Sequence, residues 1–232
     1  MGDGDAQSPP MDQNTLKRQV AEAALAYVEP GSVLGVGTGS TVDLFIAALA
    51  ASGLGKSLAG AVSSSERSTL ALRAAGIEVW EAGQVERLST YIDGADEIDP
   101  KGHMIKGGGA ALTREKIVAD LADRFVCIAD ASKCVDVLGA FPLPVEIIPM
   151  AAPKLIRRFA ALGGQATLRA GCVTDNGQQI LDVRGLKITD PLALEAEISQ
   201  WPGVVTVGIF ARHRARVALI GAPEGVRVLK FD

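Results

Sequence analysis

Three short stretches of the sequence gather glycines, hydroxyls, carboxylates and a lysine closely enough to do chemistry. The first, Gly35-Val36-Gly37-Thr38-Gly39-Ser40-Thr41, follows an apolar run and precedes a helical pattern. Its glycines let a ligand approach the backbone, N–H groups at a helix start point outward, and Ser40 and Thr41 add hydroxyl donors, so the loop suits a monophosphate. It is not a dinucleotide fingerprint, because G-x-G-x-x-G needs glycine where Ser40 stands and the expected ribose-binding acid is replaced by the serines at 63–65. It is not a Walker A loop either, since no Gly-Lys-Ser/Thr follows. The plain alternative is a tight strand-to-helix turn that binds nothing.

The second stretch is Tyr91-Ile92-Asp93-Gly94-Ala95-Asp96-Glu97-Ile98-Asp99. Asp93 falls where an apolar strand ends, Gly94-Ala95 permits close approach, and ligands of open α/β sheets bind beyond the carboxyl ends of strands, which favours Asp93 and Asp96. The EF-hand spacing is not met. In the third stretch Lys106 precedes Gly107-Gly108-Gly109, and Glu115 follows on a helix, where partial burial would suit a general base. Taken alone, the acidic run also reads as a solvated loop and Glu115 as a helix carboxylate paired with a nearby Arg or Lys. Lys133, in Asp130-Ala131-Ser132-Lys133, follows a strand end and can reach the same crevice, with a solvated lysine as the plain alternative. His103 reads as structural, Cys127 as core, and Arg212, His213, Arg214 and Arg216 as a solvated turn or an interface. Cys134 and Cys172 carry no activating signature.

Composition narrows the chemistry further. The chain has 232 residues, 48% of them hydrophobic, with 23 basic and 27 acidic side chains for a net charge of −4. That argues against a nucleic-acid footprint or a polybasic membrane anchor, and no run approaches the roughly 18 apolar residues of a membrane span. Two histidines and three cysteines, with no C-x-x-C pair, argue against a metal site, a redox pair and a disulfide scaffold. Carboxylates and lysines are left as acids and bases. Residues 1–10 read as a disordered leader without a targeting pattern, and the expected location is cytoplasmic.

The elements that must position these residues alternate. Helical spacing over 14–28 is stopped by Pro30-Gly31. Strands are predicted at 32–36, 58–62, 77–80, 90–92 and 125–129, and helices at 42–51, capped by Ser40 or Thr41, at 66–75 and at 110–122. This is the pattern of a parallel sheet covered by helices. The rhythm then changes: strand 145–148, helix 152–162, strand 166–173, a hairpin turn at Asp175-Asn176-Gly177, strand 179–183, helix 192–200 and strand 204–210. The order β-α-β-β-α-β is the split ferredoxin-like unit. Strands 217–220 and 226–230 rejoin the first sheet.

Together these fragments resemble the ribose-5-phosphate isomerase type A family. The resemblance rests on GVGTGST at 35–41, SSS at 63–65, YIDGADEID at 91–99, IKGGGAALTREK at 105–116, IADASK at 128–133 and FPLPVEIIPMA at 141–151, with VTDNG at 173–177 and VALIG at 217–221. Arg216 departs from the acidic residue expected before VALIG. The resemblance implies an α/β fold with a Rossmann-like, mostly parallel sheet (residues 11–142 and 211–232) and a smaller ferredoxin-like α+β domain (143–210). It implies interconversion of ribose 5-phosphate and ribulose 5-phosphate, without cofactor or metal, in a homodimer or homotetramer. Residue by residue, Glu115 matches the general base, Lys106 the cation near the enediolate oxygens, and Asp93 and Asp96 the carboxylates that hold sugar hydroxyls and assist ring opening. Thr38, Gly39, Ser40 and Thr41 match the substrate loop, with Gly94, Ala95, Gly107, Gly108, Gly109, Lys133 and Lys17 as further binding positions. A sugar-phosphate sensor without turnover and a nicotinamide-dependent oxidoreductase are the rival readings. A sensor would normally carry a DNA-binding module, for which the region before the glycine loop has room for only one helix.

Overall fold

The computed structural model describes residues 12–232; the leader expected at 1–10 lies outside them. The first half winds as helix α1 (Gln13–Ala24), strand β1 (Val33–Val36), α2 (Ser40–Ser52), β2 (Gly60–Ser63), α3 (Glu66–Ala74), β3 (Val79–Trp80) and β4 (Thr90–Asp93). Short strands β5 (Glu97–Ile98) and β6 (Met104–Ile105) lead to α4 (Leu112–Leu121) and β7 (Phe125–Asp130). Then come β8 (Leu143–Ile147), α5 (Ala152–Ala161), β9 (Gln165–Leu168), β10 (Gln179–Arg184), α6 (Pro191–Ser199), β11 (Val204–Val207), β12 (Ile209–Phe210), β13 (Val217–Ala222) and β14 (Gly225–Lys230).

The main sheet has the order β14-β13-β7-β4-β1-β2-β3 and is parallel except for β14. Its central strands are apolar almost throughout because both faces are covered. Alternation divides them: Leu34, Val36, Ile92, Val126 and Ile128 pack with residues of α1, α2 and α3, whereas Tyr91, Phe125 and Cys127 pack on the opposite face with Leu112 and Val118 of α4. From β1 the chain winds to one edge through β2 and β3, and from β4 to the other through β7 and β13. The order therefore reverses between β1 and β4, where a crevice opens beyond the strand ends. Helix α1 lies across β7 and β13.

A four-stranded antiparallel sheet, β11-β8-β10-β9, carries α5 and α6. Two predicted strands of this unit are shorter than expected. The run 166–173 ends at Leu168, because the chain turns at Ala170 and Gly171, and the turn at 174–178 closes a longer loop rather than a two-residue hairpin. The run 204–210 is two strands: β11 pairs with β8, and β12 pairs with β6 in a small third sheet with β5. Gly208 makes the switch. Its N–H donates to the Pro144 carbonyl at 2.7 Å and its own carbonyl accepts from the Lys106 N–H at 2.9 Å. A Cβ there would lie 2.4 Å from the Lys106 oxygen and 2.7 Å from that of Pro144.

Gly208→Ala is therefore expected to push apart two backbones that have no flexible atoms to yield. The loss should be about 2 kcal/mol or more, lowering Tm by about 4–8 °C in a chain of this size, as read by thermal denaturation.

Candidate active site

The loop after β1 enters α2 through Gly39, at φ 118°, so Ser40 is the first residue of the helix and not its cap. No side chain caps α2. Instead Lys17 of α1 donates to Ser40 Oγ at 3.0 Å, which brings a cation to a helix start whose N–H groups face the crevice. Thr38 is pinned through its N–H to Asp93 Oδ1 at 3.0 Å and through its hydroxyl to Ser64 Oγ at 2.7 Å. Ser68 holds the Gly37 carbonyl at 2.7 Å. Gly37 itself lies so close to Asp93 that a Cβ would fall 1.9 Å from the carboxyl carbon.

Thr38, Gly39, Ser40, Thr41, Gly94, Ala95, Asp96, Lys106, Gly107, Gly108, Gly109, Glu115, Lys133 and Lys17 line one cleft of about 160 Å³. Every binding or catalytic position expected from the sequence is there except Asp93. That carboxylate is fully buried behind Lys106 and is saturated from all sides. Its Oδ1 accepts the N–H groups of Thr38 and of Gly94 (2.7 Å), and its Oδ2 accepts the Tyr91 hydroxyl and lies 2.7 Å from Lys106 Nζ. Asp93 thus has no oxygen to offer a sugar hydroxyl, and what it fixes is Lys106 and the glycine loop. Asp96 does face the cleft, its Oδ2 accepting the Gly108 N–H at 2.8 Å.

The Lys106 ammonium also donates to the Gly94 carbonyl at 2.7 Å and sits 3.3 Å from Glu115 Oε2. Burial alone would lower its pKa, but Asp93 and Glu115 outweigh that and hold it above the usual lysine value. The opposite balance governs Glu115. It is 4% exposed, and its Oε2 accepts no hydrogen bond although the ammonium is near. Burial raises its carboxyl, Lys106 lowers it, Asp93 raises it again, and the net result is about 8. Burial likewise pushes Asp96 up, against the Gly108 N–H and Lys106. A base held near neutrality, a fixed cation beside it and an uncapped helix start with two further lysines can take a proton from an anionic substrate and stabilise the charge left behind.

The remaining sequence candidates lie elsewhere. His103 faces Asp99 at 2.9 Å, Cys127 is buried with its thiol pushed up to about 12, and His213 lies 3.4 Å from Asp120. Among the described residues no group of three His, Cys, Asp or Glu side chains is placed to hold a metal ion, and no helix is long and apolar enough to cross a membrane. Sequence reading missed the supports of the site: the Tyr91 hydroxyl, Ser68 and Arg169, which donates to the carbonyls of Gly107 and Gly108. The only local signal was Tyr91 two residues before Asp93, on the same face of its strand.

Comparison with known proteins concerns the chain and its fold as a whole. The family model described as ribose 5-phosphate isomerase A (phosphoriboisomerase A) matches residues 60–225. The chain belongs to that family. It is an aldose–ketose isomerase by membership. Curated relatives named ribose-5-phosphate isomerase A include those of Methylibium petroleiphilum, 68% identical over 95% of this chain and 100% of the relative, and of Leptothrix cholodnii, 69% identical with the same coverage. Among solved structures, ribose 5 phosphate isomerase A from Neisseria gonorrhoeae superposes with a TM-score of 0.93 at 47% identity, covering 96% of this chain and 99% of that one. A D-ribose-5-phosphate isomerase in complex with phospho-erythronic acid gives 0.90 at 36% identity, covering 95% and 100%.

The raised Glu115 carboxyl has a stability signature. Between its ordinary value of 4.5 and about 8 the folded chain keeps a proton that the unfolded chain releases, so this group's contribution to stability falls as pH rises through that window. In Glu115→Gln that loss is absent, so the variant's Tm relative to wild type is expected to increase steadily across the window.

Proposed function

We propose that the chain interconverts D-ribose 5-phosphate and D-ribulose 5-phosphate through an enediolate, with Glu115 as the general base and no metal or other cofactor. The observation that carries this reading is the buried Glu115 carboxylate 3.3 Å from a buried Lys106 ammonium on the wall of a cleft with an anion-binding helix start. Isomerisation removes a weakly acidic proton beside a carbonyl, so it needs one base able to serve two adjacent carbons. Glu115 takes the C2 proton of the open-chain aldose, charge spreads over O1 and O2, and the same carboxyl returns the proton to C1 while the O2 hydroxyl proton passes to O1. Lys106 lies where it steadies that charge.

The phosphate sits at the start of α2, with Thr38, Ser40, Thr41, Lys17 and Lys133 around it. Holding the far end of the sugar there orients C1 and C2 over the base. Asp96, whose carboxyl burial raises above the usual range, holds sugar hydroxyls and assists ring opening. Asp93 acts through Lys106. The phospho-erythronic acid bound by the solved relative supports this reading, since a carboxylate on a shortened sugar phosphate imitates the paired oxygens of an enediolate. Family membership is what supports the wider setting: the non-oxidative branch of the pentose phosphate pathway, in the cytoplasm, as a homodimer or homotetramer.

The decisive experiment is an assay of ribose 5-phosphate conversion with EDTA present. Wild type is expected to keep full activity, and loss under chelation would overturn the metal-free mechanism. Glu115→Gln and Lys106→Ala, each shown to be folded, are expected to lower kcat by about 10²-fold or more, and near-normal turnover in either would sink the assignment. Only ionised Glu115 acts as base, so kcat/KM of wild type should fall tenfold per pH unit below about 8. A midpoint above about 7 separates this limb from the second ionisation of a substrate phosphate near 6.

A further inference from the structure

Arg169 stands just beyond β9, behind the Gly107–Gly109 loop and outside the cleft. Its guanidinium divides its donors between two targets. Nε and Nη2 grip Asp182 of β10 at 2.9 and 2.6 Å, a bidentate pairing that fixes the plane of the fork. Nη1 donates to two carbonyls of the loop, Gly107 at 3.1 Å and Gly108 at 3.0 Å. The Arg169 backbone is itself tied down, its N–H donating to the Ile180 carbonyl at 2.9 Å.

Those two carbonyls decide where the loop's N–H groups point. Among the described residues every peptide bond is trans, so the C=O and N–H of one peptide unit face opposite ways. With the Gly107 carbonyl on Arg169, the Gly108 N–H faces away from it and meets Asp96 on the cleft wall at 2.8 Å. With the Gly108 carbonyl also on Arg169, the Gly109 N–H is turned to that same side. Gly109 lines the cleft, and no acceptor among the described residues takes its N–H. A donor is needed there. Lys106 has three N–H bonds, and the Asp93 carboxylate and the Gly94 carbonyl already occupy two of them. One remains to face both the base and the developing charge.

We infer that Arg169 is a positioning residue for the isomerisation: by clamping the Gly107 and Gly108 carbonyls it aims the Gly109 N–H at the substrate oxygen on which negative charge develops. The inference rests on the enediolate reading above. The guanidinium has a second effect in the same direction, since drawing electron density toward the two carbonyls makes the N–H groups of those peptides stronger donors.

The test compares Arg169→Met, Arg169→Lys and Asp182→Asn with wild type for kcat, KM, Tm and the Kd of inorganic phosphate. In Arg169→Met, kcat is expected to fall about ten- to a hundred-fold, somewhat less than outright removal of an oxyanion donor, because the N–H survives but loses its aim. KM should stay within about threefold, since the contact strengthens only as charge develops, and phosphate affinity should not change. Lysine cannot meet Asp182 and both carbonyls at once, so Arg169→Lys should remain impaired, while free guanidinium should restore part of the kcat of Arg169→Met. A kcat within about threefold of wild type, or a loss confined to KM and phosphate affinity, would overturn the inference. So would a kcat loss that guanidinium leaves unrepaired while Tm falls. Should Arg169→Met not fold, Asp182→Asn, which keeps the guanidinium and loosens its plane, must show the same loss of kcat at steady KM in smaller measure. A wild type without turnover of ribose 5-phosphate would sink the isomerase reading itself, whereas an active wild type beside an unimpaired Arg169→Met would sink only the clamp.

Discussion

An ammonium group buried to 2% exposure keeps its proton only if anions stand beside it, and the site is organised around meeting that demand for Lys106. Asp93 meets it at 2.7 Å, held rigid by two backbone N–H groups and the Tyr91 hydroxyl. Glu115 is the second carboxyl, its Oε2 at 3.3 Å and without a hydrogen bond. One positive charge thus serves two carboxylates unequally. The well-solvated partner, in the sense of fixed protein dipoles, is spent as an anchor. The poorly served one is left basic. The difference between an anchor and a base is a difference in how many donors reach each carboxylate.

The two sheets divide the work of keeping that inequality in place. The main sheet brings the ends of β1, β4 and β7 to one rim, so the loop at 35–41, Asp93 and Lys133 lie along the same edge. The antiparallel sheet braces the helix that carries Glu115. Thr113 of α4 donates to the buried Glu146 of β8, which also takes the Thr174 hydroxyl at 2.7 Å. Lys116 of the same helix pairs with Glu195 of α6 at 2.6 Å and donates to the carbonyls of Val207 and Ile209. Glu115 sits between these two attachments, so its distance from Lys106 is set from outside the main sheet.

Much of this was legible in the residue order, for identifiable reasons. Strands buried on both faces read as short apolar runs, and loops at their carboxyl ends stand out because glycines and carboxylates interrupt the apolar pattern. The ferredoxin-like rhythm was equally clear, and its strand order β11-β8-β10-β9 needs only hairpin and crossover geometry. What could not be read depends on contacts between distant residues. Gly208 looks like a strand interior until Lys106 and Pro144 are brought against it. Asp93 and Asp96 look equivalent, three residues apart, yet one is sealed behind an ammonium and the other opens on the cleft. Two-residue strands such as β5 and β6 carry too little pattern to announce themselves.

The position of β13 bears on how the molecule comes into being. This strand, residues Val217–Ala222, lies between β7 and β14, and α1 rests across β7 and β13 together. Lys17 rides on α1, and Lys133 follows directly on β7, so the end of the cleft that holds these two lysines is framed by a strand far along the chain from the loops beside it. The loop at 35–41, the Asp93–Asp96 turn and the stretch from Lys106 to Glu115 all precede it by about a hundred residues or more. A growing chain accordingly carries Glu115 and Lys106 before the strand that helps to frame Lys17 and Lys133 has been made. The cleft is therefore a product of the closed sheet order, and its motifs alone do not supply its walls.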